Sequence, residues 1–226
     1  SVILANPKFS LEWVLRNRPL LEGRKASEIL GIDSEDPAAI FSLTEHEIGK
    51  ILDDHPVDLI IDFSSVEGIY RYGQAAADRG IRIISAISHY GETEKKFLRE
   101  LSQSTVVFWS PNITLGINYL MFASRFLQKI APWVDIEIIE QHFKAKEGVS
   151  GTAVKLAEAL DVEPSDINVV RAGGIVGKHE VIFGFPFQTV RLIHESISRE
   201  AFGNGAIFAA ENLRNKPPGY YKFEDL

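Results

Sequence analysis

The chain has 226 residues, 45% of them hydrophobic and 24% charged, with 31 acidic against 24 basic side chains. This is the composition of a globular protein of one large domain or two modest ones, and a net charge of −7 without a basic cluster argues against a general nucleic-acid binder. The longest apolar runs fall far short of the roughly 20 residues needed to span a bilayer, and the absence of cysteine removes disulfides, thiolate nucleophiles and cysteine zinc sites, so that six scattered histidines leave no metal site.

In chain order, SVILANPKFSLEWVLRNR reads as the end of a helix, a turn at Asn6 and Pro7, and a strand over residues 10–15. A connecting segment leads to helical spacing over 45–53. VDLIIDFSS, from Val57, is a continuous apolar run closed by polar residues, as in a strand covered on both faces. A helix over 72–78, the strand IRIISAIS, a helix over 92–101 and the strand TVVFWSPN follow, an alternation that predicts right-handed crossovers and a parallel sheet. Beyond Asn112 the pattern changes to an apolar-rich helix over 115–130, a strand over 135–142, an amphipathic helix over 152–160 and two strands, 180–183 and 188–195, joined through GFPF.

The expected fold is α/β: a Rossmann-like doubly wound nucleotide-binding domain over 1–112 and 206–226, and an α+β substrate-binding and oligomerisation domain over 113–205. In the first, the opening strand fits as the second strand of such a sheet, and no G-x-G-x-x-G phosphate-binding turn precedes it. The first βα unit is therefore expected to lie before Ser1 in the natural protein, the alternative being a degraded cofactor function. The opening strand runs into Arg16, Asn17 and Arg18, and arginine at that place favours a ribose carrying a 2′-phosphate, hence NADPH with NADH as the alternative. The other reading makes both arginines solvated loop residues.

In the second domain, EIIEQHFKAKEGVSGTAVKLAEAL combines a strand ending at His142, a loop with Lys146, and Ser150, Gly151 and Thr152 at a helix start. A histidine able to exchange a proton, a cation and helix-terminal amides together suit a small carboxylate substrate. Taken singly, the serine is an ordinary cap and the histidine structural.

The stretch EQHFKAKEGVSGTA resembles the signature of the dihydrodipicolinate (4-hydroxy-tetrahydrodipicolinate) reductase family of lysine and diaminopimelate biosynthesis. IDFSS at Ile61, SPNITLGIN at Ser110, RAGGIVGKHEVIFG at Arg171 and SREAFGNGAIFAAENL at Ser198 extend the resemblance over nearly all of the chain after Pro56. It implies reduction of 4-hydroxy-tetrahydrodipicolinate by NAD(P)H, with His142 as proton donor, Lys146 as its catalytic partner, and Ser150, Gly151 and Thr152 on a substrate carboxylate. It also implies cofactor contacts from Arg16, Arg18, Phe63, Ser64, Ala86, Ser88, Ser110, Asn112 and Ile113, and a homotetramer with an oligomer contact through strands 181–183 and 190–193. Composition, and an amino end unlike a secretory signal, give the further expectations of no metal, no membrane or nucleic-acid partner and a cytoplasmic location.

Four departures from the family pattern stand out, the first being the absent glycine-rich loop noted above. Phe143 replaces the second histidine, the loop before Ser150 is one residue shorter with Gly148 and Val149 in it, and SAISHY takes the place of a G-T-T-G turn. Two alternatives follow: a reductase of a different cyclic imine or amino acid, or a non-catalytic oligomeric homologue.

Overall fold

The elements of the first half are short strands alternating with helices: β1 (Trp13–Arg16), α1 (Ala26–Leu30), β2 (Ala39–Ser42), α2 (Ile48–Asp54), β3 (Leu59–Asp62), α3 (Gly68–Ala77), β4 (Arg82–Ser85), α4 (Glu92–Leu101) and β5 (Val106–Trp109). Then come α5 (Leu115–Ile130), β6 (Asp135–His142), α6 (Gly151–Ala159), β7 (Asn168–Arg171), β8 (Gly177–Phe185), β9 (Gln188–Ser196), α7 (Glu200–Leu213) and β10 (Gly219–Tyr221). This computed structural model describes all 226 residues. It divides into two units, Ser1–Pro111 with Gly203–Leu226, and Asn112–Phe202.

In the first unit every strand pairing is parallel, and the strands form two separate sheets, β1-β2 and β10-β5-β4-β3. Apolar strand residues such as Ile60, Ile83, Ile84 and Val107 are buried against the inward stripes of the helices, Ile69, Tyr72 and Ala76 on α3 and Leu98 and Leu101 on α4. Those stripes follow the three-to-four-residue period that puts side chains on one helical face. Between β1 and β3 lies a cavity of about 1370 Å³, lined by residues of both strands and of the loops that follow them.

The second unit has one mixed sheet, β7-β6-β8-β9, with β6 and β7 parallel and the other pairs antiparallel. Strand alternation gives its inner face the cross-strand rows Ile136–Phe183–Val190 and Ile138–Val181–Leu192. Ile117 and Leu120 of α5 and Leu156 and Ala157 of α6 pack with these rows in one core. The next row on the same face is Glu140–His179–His194, so the apolar core gives way to polar groups toward the end of β6.

Several expectations change. Residues 1–5 form turns in place of a helix end, and the first strand is Trp13–Arg16, so Arg16 is its last residue and not the residue after it. The segment read as a connection contains α1 and β2, and β7, α7 and β10 are further elements that hydrophobic periodicity did not mark. Val181 and Phe183 are fully buried in the core, which removes them from any exposed oligomer face.

Candidate active site

The second unit carries a dense polar network. Glu140 and His142 are two residues apart on β6 and so share the inner face of the sheet. His142 Nδ1 meets Glu140 Oε2, and the imidazole lies edge-on to His179 with ring centroids 5.3 Å apart. A Cβ at position 177 would sit 3.1 Å from His142 Nε2, so glycine is the residue that leaves room for this ring. Burial pushes the Glu140 carboxyl up, but hydrogen bonds from Arg171, His142 and the Ser150 amide outweigh it and hold the group below its usual range.

Ser150 caps α6: its Oγ accepts from the Ala153 amide at 3.1 Å and lies 2.9 Å from His179 Nε2. Its own amide donates to Glu140 Oε1 at 3.1 Å. The serine is therefore committed to holding the turn, while Gly151 is exposed and Thr152 half-buried at the first positions of the helix. Thr152 Oγ1 accepts from Asn112 Nδ2 at 2.8 Å, and Asn112 Oδ1 in turn accepts from the amide and hydroxyl of Thr114. Asn112, expected beside a cofactor, is thus joined to the α6 turn. The Ile113 side chain is buried, leaving its backbone alone for any ligand.

Arg171 on β7 and the other two histidines complete the network. The guanidinium donates to both oxygens of Glu140 at 3.0 and 2.6 Å and to the carbonyls of Lys146, Gly148 and Val170. His179 is driven down to about 3 by burial and by the neighbouring His142, with smaller effects from His194 and Lys146, so it is neutral near pH 7. His194, at the sheet edge beside Gly116 of α5, is lowered by burial. Lys146 makes no side-chain hydrogen bond or ion pair and is half-buried. Phe143, next to His142, is 44% exposed.

In the first unit the remaining candidates lie at the carboxyl-terminal ends of parallel strands, where open α/β sheets bind ligands. Arg16, Arg18, Phe63 and Ser64 line the cavity of about 1370 Å³. Arg16 makes one hydrogen bond, to the Leu20 carbonyl, and Arg18 is exposed. Ser64 donates through its amide and hydroxyl to Asp62 Oδ1, and Tyr72 donates to Asp62 Oδ2, so buried Asp62 shapes the turn after β3. Ala86 donates its amide to the Asp62 carbonyl and Ser110 its amide to that of Ser85, while Ser88 is exposed. No group of three acidic or histidine side chains is arranged to hold a metal.

A parallel-stranded unit with the candidate residues at its strand ends, and a mixed-sheet unit with a histidine, a lysine and a helix-terminal turn, define a two-unit α/β protein of the class that binds small ligands at strand ends. Residues 1–113 match the model of dihydrodipicolinate reductase, N-terminus, and residues 113–226 that of dihydrodipicolinate reductase, C-terminus. The chain belongs to the dihydrodipicolinate reductase family. It is 36% identical over 191 residues to the 4-hydroxy-tetrahydrodipicolinate reductase of Caldanaerobacter subterraneus subsp. tengcongensis, covering 75% of this chain and 76% of that protein. The Staphylococcus aureus enzyme of that name is 32% identical over 232 residues, covering 91% and 93%. Among solved structures, dipicolinate-bound dihydrodipicolinate reductase from Paenisporosarcina sp. TG-14 shares the fold with a TM-score of 0.78 at 20% identity, over 98% of this chain and 90% of that one.

Proposed function

We propose that the protein catalyses the NAD(P)H-dependent reduction of 4-hydroxy-tetrahydrodipicolinate to tetrahydrodipicolinate, in lysine and diaminopimelate biosynthesis. The observation that carries this reading is the joining of His142, Lys146 and the α6 turn in one unit, around Glu140 and Arg171, in a chain whose two halves both match the family. Arg16, Arg18, Phe63 and Ser64 fit the cofactor because they lie at the carboxyl-terminal ends of the parallel strands β1 and β3, with two cationic side chains at the end of β1. Ala86, Ser88 and Ser110 follow on neighbouring strand ends. NAD(P)H, when bound, supplies the hydride.

The chain's own residues do the rest. The amides of Gly151 and Thr152, at the positive end of α6, hold a substrate carboxylate, with the Thr152 hydroxyl oriented by Asn112. His142 delivers a proton to the carbon next to the one that is reduced, and the Lys146 ammonium stabilises the negative charge that develops. Arginine at the end of β1 favours NADPH over NADH, through charge-assisted contacts to the extra phosphate.

Exposed Phe143 favours one second reading, a different cyclic imine acid as substrate, because an apolar ring replaces a polar substrate contact. Steady-state kinetics with enzymatically generated 4-hydroxy-tetrahydrodipicolinate separates the two. The expected result is turnover on that substrate, with His142→Gln lowering it on the order of a hundredfold or more and leaving NADPH affinity unchanged. Turnover of another cyclic imine acid alone, still requiring His142, would establish the second reading, and no turnover of either would defeat both.

Copies of the chain associate through the second unit, with a tetramer as the expected state. Leu115, Tyr119, Phe122, Phe126 and Ile130 recur every three or four residues along α5 and are all exposed, a larger apolar stripe than an isolated surface helix ordinarily shows. Sedimentation as a monomer at micromolar concentration would overturn this.

A further inference from the structure

We infer that Glu140 is a positioning residue, clamped by Arg171, which fixes His142 in the Nδ1–H form and with the same carboxylate holds the turn that opens α6. The inference rests on His142 being the proton donor proposed above.

Glu140 is wholly buried, and its two oxygens receive four donors: two from Arg171, the Ser150 amide and His142 Nδ1. An ionised carboxylate only accepts hydrogen bonds, so the facing Nδ1 must carry a hydrogen. Nε2, on the side of Gly177, is then the ring nitrogen that gives the proton to a substrate: the ring carries hydrogen on both nitrogens before the transfer and on Nδ1 alone after it, whereas a neutral Nε2–H ring would have to become an imidazolate to donate.

Arg171 secures that state and takes no part in binding. A guanidinium has five N–H donors, and all five are used, two on Glu140 and one each on the carbonyls of Lys146, Gly148 and Val170. Its charge lies on Glu140, and two of its remaining donors, on the carbonyls of Lys146 and Gly148, pin the loop that carries Lys146 into the α6 turn. One buried ion pair thereby sets the geometry of the acid, the cation and the anion cradle together. Of the other titratable groups, His179 on β8 lies edge-on to His142, and His194 on β9 and Lys146 in the loop act on His179; the hydrogen-bond partner of Nδ1 is Glu140.

Replacement of Glu140 by glutamine separates the two tasks. Oε1 faces two fixed donors, Ser150 N and Arg171 Nη2, whereas Oε2 faces Arg171 Nη1 and His142 Nδ1, and of these four only the imidazole nitrogen can turn from donor to acceptor. The amide oxygen therefore takes the Oε1 place and the amide nitrogen is left against His142 Nδ1. Nδ1 must then accept, and the neutral ring becomes Nε2–H. The cradle turn, still held through Ser150, keeps its place.

The test is nitrogen NMR of full-length protein labelled with ¹⁵N-histidine, assigned by comparison with His142→Gln, together with steady-state kinetics. Wild-type His142 is expected to show the Nδ1–H signature in its neutral form and Glu140→Gln the Nε2–H signature. Turnover is expected to fall on the order of a hundredfold or more, the scale of general acid catalysis, with substrate KM changed by less than about threefold. A merely structural role would alter stability and KM but not the ring signature. An Nε2–H ring in the wild type overturns the inference without any variant having to fold, and so does an unchanged turnover in Glu140→Gln. If the wild type reduces no imine, the functional reading fails, while the ring signatures still decide the clamp.

Discussion

Arg171 in the second unit and Arg16 in the first are both arginines at the last position of a strand, with opposite arrangements. Every donor of Arg171 is used inside the protein, on a buried carboxylate and three carbonyls. Arg16 makes a single bond, to a nearby carbonyl, and lines an open cavity beside exposed Arg18. A saturated guanidinium is part of the scaffold, whereas an unsaturated one at a cavity is available to an anion. Residue type and strand position do not tell these apart; the count of donors already used does.

The strongest way to break this comparison is to remove the saturated partner. Arg171→Leu leaves Glu140 buried without its ion pair and should cost about 3–5 kcal/mol of stability, read as a lower denaturation midpoint with a loss of substrate binding. A cost below about 1 kcal/mol would show that the pair behaves as a surface ion pair. At the other arginine, Arg16→Ala should leave stability nearly unchanged and raise KM for NADPH on the order of tenfold, the scale of one charged hydrogen bond, with a much smaller change for NADH. Equal effects on both cofactors would take the discriminating role away from it.

A smaller effect sharpens the account of the second unit. His179 has a folded-state value of about 3 against an ordinary 6.5, so below pH 6.5 the unfolded chain takes up a proton that the folded chain refuses. Stability from this group is complete above pH 6.5 and is lost as the pH falls toward 3, at up to about 1.4 kcal/mol per pH unit. Lowered Glu140 adds a loss of the same sign as it protonates. Denaturant titrations at pH 7 and pH 5 should show His179→Asn losing less stability than wild type, and parallel losses would sink the assignment. The smallest effect lies in the β8–β9 turn, where Phe187 is fully exposed with φ of 68°. Phe187→Gly should gain about 1 kcal/mol by relieving that left-handed backbone, measured as a rise in melting temperature.

Much of the architecture was legible where a period runs long enough to be seen. The bounds of α4, α5 and β6 agree with those read from apolar spacing, because each spans eight residues or more with one buried face. β2 and β10 are only four and three residues long, and β7 is exposed along most of its length, so none carries an alternation that distinguishes it from loop. In the site, the motif around His142 drew attention to the groups proposed to meet the substrate. Glu140 and Arg171, which hold them, stood in the same quoted segments but 31 residues apart, and only the pairing of β6 with β7 brings His142 opposite Arg171. The two-residue spacing of Glu140 and His142 was the one local signal that both share a face.

The place of the Glu140–Arg171 clamp in its sheet sets when it opens under native conditions. Glu140 and His142 lie on β6, which is bonded on both sides, by β7 and β8, whereas Arg171 lies on β7, an edge strand exposed along most of its length. Regions held by fewer shared bonds open at lower free energy than the global transition. Amide protons along β7 therefore exchange with deuterium before those of β6, and the clamp loosens from its arginine side.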